Sequence, residues 1–334
     1  MKYKTILVTE TPTKAQVLLE ALQPDDRTIA ILASGFYPFE FSYPRGLAIS
    51  DFPFVGEPAY KRSARREWAW NIGYVFRSDT NRADKITVDS GSLLASEAQV
   101  VFACDPDAAG AHAFETLLSQ TRARPAGAES AFKALFLALT DTRSIRAAWD
   151  TPRQTTDEWF VSALEAGQAK RFFEFNFNVN ALAIFGGILR DLGVPNQHAY
   201  ISKYGLQLLY WLRDSADSLS DTRVIYAMSM WRGTGKYSGM RLGSHTSYMA
   251  MLDQLVSAGL VARQESATGG KRLSLTDLGR GFLAKLHPDC EDSDLPGRIS
   301  QWQSAWPGAR PAVERYLRTF FGKQLRFKAA NHMP

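Results

Sequence analysis

Short apolar runs alternate with segments of helical spacing over the first part of the chain. The runs end at polar or glycine residues, which is typical of buried strands. The predicted strands are 3–9, 29–33, 100–104 and 133–139. One predicted helix follows the first strand and ends at about Leu22, and another covers 109–121. Because strands alternate with helices, the pattern predicts an α/β domain with a parallel sheet and helices on its faces.

The hydrophobic pattern changes near residue 145. Before it, residues 36–85 are rich in proline, glycine, aromatic and basic residues, which predicts a long loop with short strands. From Ser144 to the end, helical spacing dominates. We therefore expect two domains, an α/β domain over 1–145 and a mainly helical domain over 146–334.

Composition adds only mild constraints. The 334 residues carry a formal charge of +5 and a pI near 9.1, which slightly favours a polyanionic partner. Aromatic residues often stand beside basic ones, as in single-strand binders; the alternative is that they are core residues of amphipathic helices. The two cysteines, Cys104 and Cys290, cannot build a disulfide framework or a cysteine-rich zinc site. No apolar run reaches the roughly 18 residues of a membrane span, and the start lacks signal-peptide features, so we expect a cytoplasmic protein without membrane partners.

Three acidic residues follow predicted strands. Glu10 comes after the first strand, and Asp105 and Asp107 come after the 100–104 strand. The carboxyl ends of parallel strands meet at one edge of a sheet, where ligands bind. Three carboxylates there could hold a Mg²⁺ ion, which prefers oxygen ligands. The alternative is that Asp-Pro-Asp is a turn and a helix start.

The segments that carry these acids resemble two motifs of a known family. Residues 8–15, Val-Thr-Glu-Thr-Pro-Thr-Lys-Ala, resemble the opening motif of the TOPRIM domain in type IA DNA topoisomerases, and residues 104–111 resemble the second motif. The resemblance implies a TOPRIM-type parallel sheet. It also implies that Glu10 is the catalytic acid and that Glu10, Asp105 and Asp107 are the metal ligands.

The resemblance continues along the chain in the family's order. Residues 165–178 resemble the helix that lines the family's single-strand groove, and residues 240–285 resemble its winged-helix-like segment. Further similar stretches lie at 33–35, 53–60, 136–153 and 202–207. The resemblance implies that the second domain forms a groove for single-stranded DNA. The residues expected to contact DNA are Lys14, Lys170, Arg171, Arg241, His245, Tyr248, Lys271 and Arg272.

Two departures from the family bear on activity. The family's second motif has further acids where this chain has Ala109 and Ala111, so we expect Mg²⁺ binding to be weak or lost. Only the 37 residues 206–242 stand where the family inserts two gate domains, which carry its nucleophilic tyrosine. Tyr226, with basic residues near it in sequence, is the candidate nucleophile of this segment. The alternative, which we favour, is a buried helical tyrosine.

Three functions follow as candidates. The first is a DNA-binding protein related to type IA topoisomerases that prefers single strands and lacks strand passage. The second is a reduced Mg²⁺-dependent topoisomerase or nicking enzyme. The third is a module that binds a protein partner on a former DNA groove. Basic residues along the expected groove favour the first over the third, and the missing acids and gate favour the first over the second.

Overall fold

The chain divides into two compact units in the computed structural model. The structure describes residues 2–33, 39–121, 131–215, 218–265 and 270–330. The first unit comprises Met1–Ser42 and Ala59–Gln168, and the second comprises Tyr43–Pro58 and Ala169–Pro334. The chain therefore passes from one unit to the other three times. This division differs from the expected ranges 1–145 and 146–334, because an early segment belongs to the second unit.

The first unit contains nine strands and the helices around them within the described residues. The strands are β1 Thr5–Thr9, β2 Thr28–Leu32, β3 Phe39–Phe41, β4 Tyr60–Arg62, β5 Ile72–Arg77, β6 Arg82–Thr87, β7 Gln99–Phe102, β8 Lys133–Ala134 and β9 Arg153–Gln154. The helices are α1 Pro12–Leu22, α2 Glu67–Trp70, α3 Ser90–Leu94, α4 Ala108–Thr121, α5 Thr142–Asp150 and the first third of α6 Glu158–Asp191. This composition confirms the predicted α/β class.

Seven of these strands form one sheet in the order β6-β5-β2-β1-β7-β8-β9. The four neighbours β2, β1, β7 and β8 pair in parallel. The edge strands β5, β6 and β9 join in antiparallel pairs. The predicted parallel sheet is thus confirmed for its centre, while the whole sheet is mixed. The β5–β6 hairpin lies in the stretch that we expected to be mostly loop.

Both faces of the central strands are buried, with side chains alternating between them. On β1, Ile6 and Val8 pack in one core cluster with Phe114 of α4, and Leu7 packs in a second cluster with Leu18 of α1. All five residues of β2 are buried. Strands covered on both faces are apolar at every position rather than at every second one. This burial explains why the short apolar runs predicted these strands.

The second unit is mainly helical. Its helices are the rest of α6, α7 Lys203–Arg213, α8 Asp221–Ser229, α9 His245–Ser257, α10 Asp277–Ala284, α11 Leu295–Ser304 and α12 Arg310–Ala330. Its strands are β10 Leu219–Ser220, β11 Val261–Glu265 and β12 Lys271–Leu275. Single 3₁₀ turns of the chain lie at Ile49–Asp51, Ala64–Arg66, Asn196–His198, Gly235–Tyr237 and Pro288–Cys290.

Three helices of this unit pack on a small antiparallel sheet. The sheet order is β10-β12-β11, with β11 and β12 joined as a hairpin. Helices α7 and α8 contact β12, and α9 contacts β11. Leu206, Val224, Leu252 and Leu273, one from each of α7, α8, α9 and β12, are fully buried in a common core. Most of the predicted hairpin tip at 268–270 lies outside the described residues.

An extended segment, residues 43–58, is fastened to α6 by asparagine side chains; we call it the strap. Asn180 accepts from the Phe54 N–H (2.8 Å) and donates to the Phe54 carbonyl (2.7 Å). Asn176 does the same at Gly56, with distances of 2.7 and 2.9 Å. Residues two apart in an extended chain face the same way, as do residues four apart in a helix. The two-residue spacing of Phe54 and Gly56 in the strap therefore matches the four-residue spacing of Asn176 and Asn180 on α6.

Helix α6 is long and apolar enough, at 34 residues, to cross a membrane, and among the described helices it alone meets that criterion. However, 72% of its most apolar window is buried inside the protein. Phe172, Phe173 and Phe177 lie in the core of the second unit. This is the burial of a core helix.

Candidate functional site

The loops that follow β1 and β7 bring Glu10 and Asp105 together. The two strands are parallel neighbours, so their carboxyl ends lie side by side. The backbone N–H of Asp105 donates to Glu10 Oε1. Helix α1 begins directly after Glu10, where the Thr11 hydroxyl accepts from the Lys14 N–H at 3.2 Å. Both acids thus lie at the same sheet edge.

Lys14 bridges these two acids. Its Nζ lies 3.2 Å from Glu10 Oε2 and 2.5 Å from Asp105 Oδ1. The lysine is only 8% exposed, so its ammonium is held by carboxylates rather than presented to solvent. We expected Lys14 to contact DNA, and the structure gives it this internal role instead. The four-residue spacing of Glu10 and Lys14 was the available sequence signal, because it places both side chains on one side of the helix start.

Asp107 is used to start helix α4. Its Oδ1 accepts from the backbone N–H groups of Ala109 (2.9 Å) and Gly110 (2.8 Å), as an N-cap residue does. Gly110 allows the helix to approach the acids closely. A Cβ at this position would overlap the Asp105 carbonyl oxygen and would lie 2.9 Å from Glu10 Oε1. The start of α4 is therefore packed directly against the acidic pair.

Burial affects the protonation of two groups at this edge. Burial raises the pKa of Glu10 above its ordinary value, although Lys14 and the Asp105 N–H work against this shift. Burial also raises the pKa of the Cys104 thiol well above its ordinary value, and the charges of Glu10, Asp105 and Asp107 add to the effect. All three carboxylates therefore act on one buried thiol, which stays protonated at neutral pH.

The donor set at this edge does not fit a divalent cation in the arrangement seen. Glu10 gives one oxygen to the Asp105 N–H and the other to Lys14, while Asp105 Oδ1 also accepts from Lys14. Asp107 Oδ1 caps α4. Mg²⁺ requires several oxygen ligands in near-octahedral geometry. Across the described ranges, no group of three or more His, Cys, Asp or Glu side chains is placed to hold a metal ion.

A tyrosine–histidine pair in the first unit was not predicted from the sequence. The Tyr60 hydroxyl lies 3.2 Å from His112 Nε2, and His112 Nδ1 lies 3.2 Å from Thr116 Oγ1. His112 is buried on α4. The pair joins β4 to α4, and 52 residues separate its partners, so no local pattern could have indicated it.

Lys170 and Arg171 are neighbours on α6 with different surroundings. Lys170 is exposed, whereas Arg171 is 15% exposed and its Nη1 lies 2.8 Å from Glu174 Oε2. The other Glu174 oxygen lies 2.8 Å from Lys203 Nζ. Burial acts to raise the pKa of Glu174, but Lys203, Arg171 and Lys170 together lower it to about 2. Arg171, expected to contact DNA, is therefore engaged in a mostly buried ion network.

The residues around the start of α9 also differ in exposure. Arg241 and His245 are exposed. Tyr248 is 1% exposed, and its hydroxyl donates to the Met228 carbonyl at 3.2 Å. The ring of Tyr248 therefore faces the core of the unit, and this burial gives no support to the expected contact with DNA. His245 is the first residue of α9, and Tyr248 lies three residues further along the helix, with the centroids of the two rings 5.1 Å apart.

Strand β12 presents two cations, Lys271 and Arg272, and both are exposed. Lys271 lies opposite Glu265 in the hairpin register. Arg272 donates from Nε to the Ser218 hydroxyl at 2.7 Å and from Nη2 to the Ser218 carbonyl. Strand β12 of the hairpin therefore carries two positive charges at its first two residues.

Tyr226 is not the buried helical tyrosine that we favoured. It is 67% exposed on α8, and Met230, one turn later, is 56% exposed. By contrast, many other described residues of the 206–242 segment contribute to the core. Its buried members include Leu206, Leu208, Leu209, Val224, Met228, Trp231 and Leu242. The described residues of 206–242 are thus an integral part of the second unit.

Comparison with known proteins does not assign a function. No protein-family model matches the chain, and no curated protein matches it either. The function is therefore inferred from the geometry and charges described above.

Proposed function

We propose that this protein binds DNA through its second unit, prefers single strands and does not carry out strand passage. In this proposal the first unit is a TOPRIM-type domain, and the winged-helix-like segment at 240–285 is part of a winged-helix-like element that begins with α7 at residue 203. Both are related to type IA topoisomerases. The localisation that we propose is cytoplasmic.

The arrangement of 203–275 supports the proposal more than any other observation. Three helices pack on a three-stranded antiparallel sheet whose last two strands form a hairpin. Exposed Arg241 and His245 lie at the start of α9, and exposed Lys271 and Arg272 lie on the hairpin. Arginine, lysine and helix N-termini are the groups that most often contact phosphates. One helix start and one hairpin of this element therefore offer cations to a nucleic-acid backbone.

The single-strand preference rests on the sequence resemblance and on Lys170. This exposed lysine lies on α6, in the stretch that resembles the groove-lining helix. Two of the cations first expected to serve DNA, Lys14 and Arg171, are bonded to carboxylates instead. The proposal therefore depends on four exposed cations, Lys170, Arg241, Lys271 and Arg272.

The enzymatic alternative has less support. The oxygens of Glu10 are bonded to Lys14 and to the Asp105 N–H, and Asp107 caps a helix. The exposed Tyr226 keeps a nucleophile available, but the segment around it is packed into the core rather than built as a gate.

One observation favours the protein-partner alternative. Tyr226 on α8 and Met230, the residue directly after this helix, form an exposed apolar pair. Scattered surface apolar residues are common, so this pair alone does not indicate an interface. We keep this alternative as an outcome of the test below.

Fluorescence anisotropy with labelled oligonucleotides over a salt series tests the proposal. About four phosphate contacts on a single strand give a slope of about −3 in log K against log salt. Affinity should then fall about 50-fold over a fourfold rise in salt. The duplex form of the same sequence should bind more weakly at every salt concentration.

A pair of double variants locates the contacts. Arg241→Ala with Lys271→Ala should weaken binding and flatten the slope by about 1.4. The matched control is Arg82→Ala with Lys85→Ala, which removes the same two charges from exposed positions of β6. If both pairs have the same effect, only net charge matters and the winged-helix-like element is not the binding surface. If wild-type protein binds no oligonucleotide at low salt, the protein-partner alternative replaces this proposal.

A further inference from the structure

The position of Lys14 distinguishes this carboxylate edge from an ordinary cluster of acids. The lysine is 8% exposed, and its ammonium lies within hydrogen-bonding distance of both Glu10 and Asp105. A buried charge is costly unless it is paired and hydrogen-bonded. Here the two carboxylates supply that pairing from two different loops, which follow β1 and β7.

We propose that the Lys14 ammonium is the resident cation of this edge, in the place where the family resemblance implies a divalent metal. Its single positive charge is covalently tethered, so it is always present at the site. Two carboxylates that would otherwise repel each other are joined by it. The two carboxylates of this edge therefore have a counter-ion without Mg²⁺. The same ion pairing holds together the two loops that follow β1 and β7.

The charges explain why the lysine and a divalent ion exclude each other. A metal bound between Glu10 and Asp105 would lie within a few ångströms of the ammonium, and like charges at that separation repel strongly in a partly buried site. The Glu10 oxygens would also have to give up their bonds to Lys14 and to the Asp105 N–H. Removing the ammonium has the opposite effect, because it leaves Glu10 and Asp105 facing each other without a cation.

Mn²⁺ binding to the full-length protein, measured by the loss of the free-ion resonance signal, tests this inference. Wild-type protein should show no Glu10-dependent site with a Kd below about 1 mM. Lys14→Met, which keeps an unbranched side chain one atom shorter and removes the charge, should gain one Mn²⁺ site. The gain in affinity should be on the order of tenfold or more. The melting temperature of the Lys14→Met protein should rise with added Mn²⁺, whereas that of the wild type should not.

Two controls make the result specific. Lys4→Met removes the same charge from an exposed position beside β1 and should gain no site. Adding Glu10→Gln to Lys14→Met should remove the gained site, because one of the two carboxylate ligands is lost. Lys14→Gln serves as a second variant if Lys14→Met does not fold.

Two outcomes would overturn the inference. One is a wild-type Mn²⁺ site that Glu10→Gln abolishes, since the metal would then bind despite the lysine. The other is a folded Lys14→Met or Lys14→Gln protein that gains no Mn²⁺ affinity. The inference does not rest on the proposed DNA binding, because neither measurement involves nucleic acid.

Discussion

At the scale of single residues, two of the cations that the sequence suggests for DNA contact lie inside the protein and pair with carboxylates. Lys14 pairs with Glu10, four residues before it, and Arg171 pairs with Glu174, three residues after it. In both cases a carboxylate three or four residues away in the sequence pairs with a mostly buried cation, although Glu10 itself precedes α1. A burial of this kind is tolerated only because each charge is paired and hydrogen-bonded. Sequence spacing alone does not separate internal cations from surface ones, since Lys170 lies four residues before Glu174 and is exposed.

The Glu174 network gives a pH-dependent prediction. Glu174→Gln should lower the free energy of unfolding by about 3 kcal/mol at neutral pH, because Lys203 and Arg171 lose their shared counter-charge. The pKa of Glu174 is lowered from 4.5 to about 2, so its stabilisation is complete above pH 4.5 and is lost as the pH falls toward 2. The difference between wild type and variant should therefore shrink in acid.

Urea unfolding of both proteins at neutral pH and at about pH 3 measures this difference. The control is Glu165→Gln on the same helix, for which a change within about 0.5 kcal/mol is expected. A variant as stable as the wild type at neutral pH would show that the network contributes nothing to folding.

At the scale of elements, the strap and α6 depend on each other. The Asn180 amide donates to the carbonyls of Phe54 and Asn176, both at 2.7 Å, and accepts from the Phe54 N–H. Asn180→Asp should place a carboxylate oxygen against two carbonyl oxygens that have lost their donor. We expect a loss of about 2 kcal/mol in unfolding free energy and faster proteolytic cleavage within 43–58.

The matched control for this change is Asn196→Asp, at an exposed 3₁₀ turn of the same unit. Urea unfolding and limited proteolysis of the two variants give the comparison. Equal behaviour of the two variants would mean that the asparagine contacts do not hold the strap.

Elements with strong local patterns could be predicted, and elements that depend on distant partners could not. Strands β1, β2 and β7 were predicted within a few residues, because burial on both faces made them continuously apolar. The β5–β6 hairpin was missed, since none of the six residues of β6 is buried and its sequence carries little hydrophobic signal. Tyr226 was assigned to the wrong environment, and the burial of Tyr248 was not predicted. Helical spacing alone does not say which face of α8 or α9 packs on the sheet.

The candidate site could likewise be predicted only where local patterns indicate it. The sequence placed Glu10 and Asp105 at the ends of neighbouring strands, because parallel pairing follows from the strand–helix pattern. The bond from Lys14 to Asp105 joins residues 91 positions apart, and no local pattern indicates it. The use of Asp107 as a helix cap was the alternative reading of Asp-Pro-Asp and is what the structure contains.

At the scale of the whole molecule, the 206–242 segment bears on strand passage. Leu206, Val224 and Trp231 are buried in the core of the second unit, so the segment closes that unit instead of leaving it. We therefore expect no relaxation of supercoiled plasmid at ordinary enzyme concentrations, with or without Mg²⁺. Agarose gel electrophoresis, with a type IA topoisomerase as the positive control, measures this.

The exposed Tyr226 provides the counter-test for relaxation. Wild-type protein and Tyr226→Phe should give the same unrelaxed plasmid and the same oligonucleotide affinity. Mg²⁺-dependent relaxation that disappears in Tyr226→Phe would show that the tyrosine on α8 is a nucleophile and that the protein is an enzyme.

The course of the chain through the strap also has a consequence for biosynthesis. Phe54 and Gly56 leave the ribosome 126 and 120 residues before the asparagines that hold them. At typical synthesis rates this interval lasts about 6–25 s. During that time the β-strands on either side of the strap can begin to pair, while the strap itself has no helix to bind. Glu57 waits longer still, because its partner Arg310 lies further along the chain than the two asparagines. The nascent sheet must therefore carry an undocked loop, and docking of the strap is a late event that couples the first half of the chain to the last.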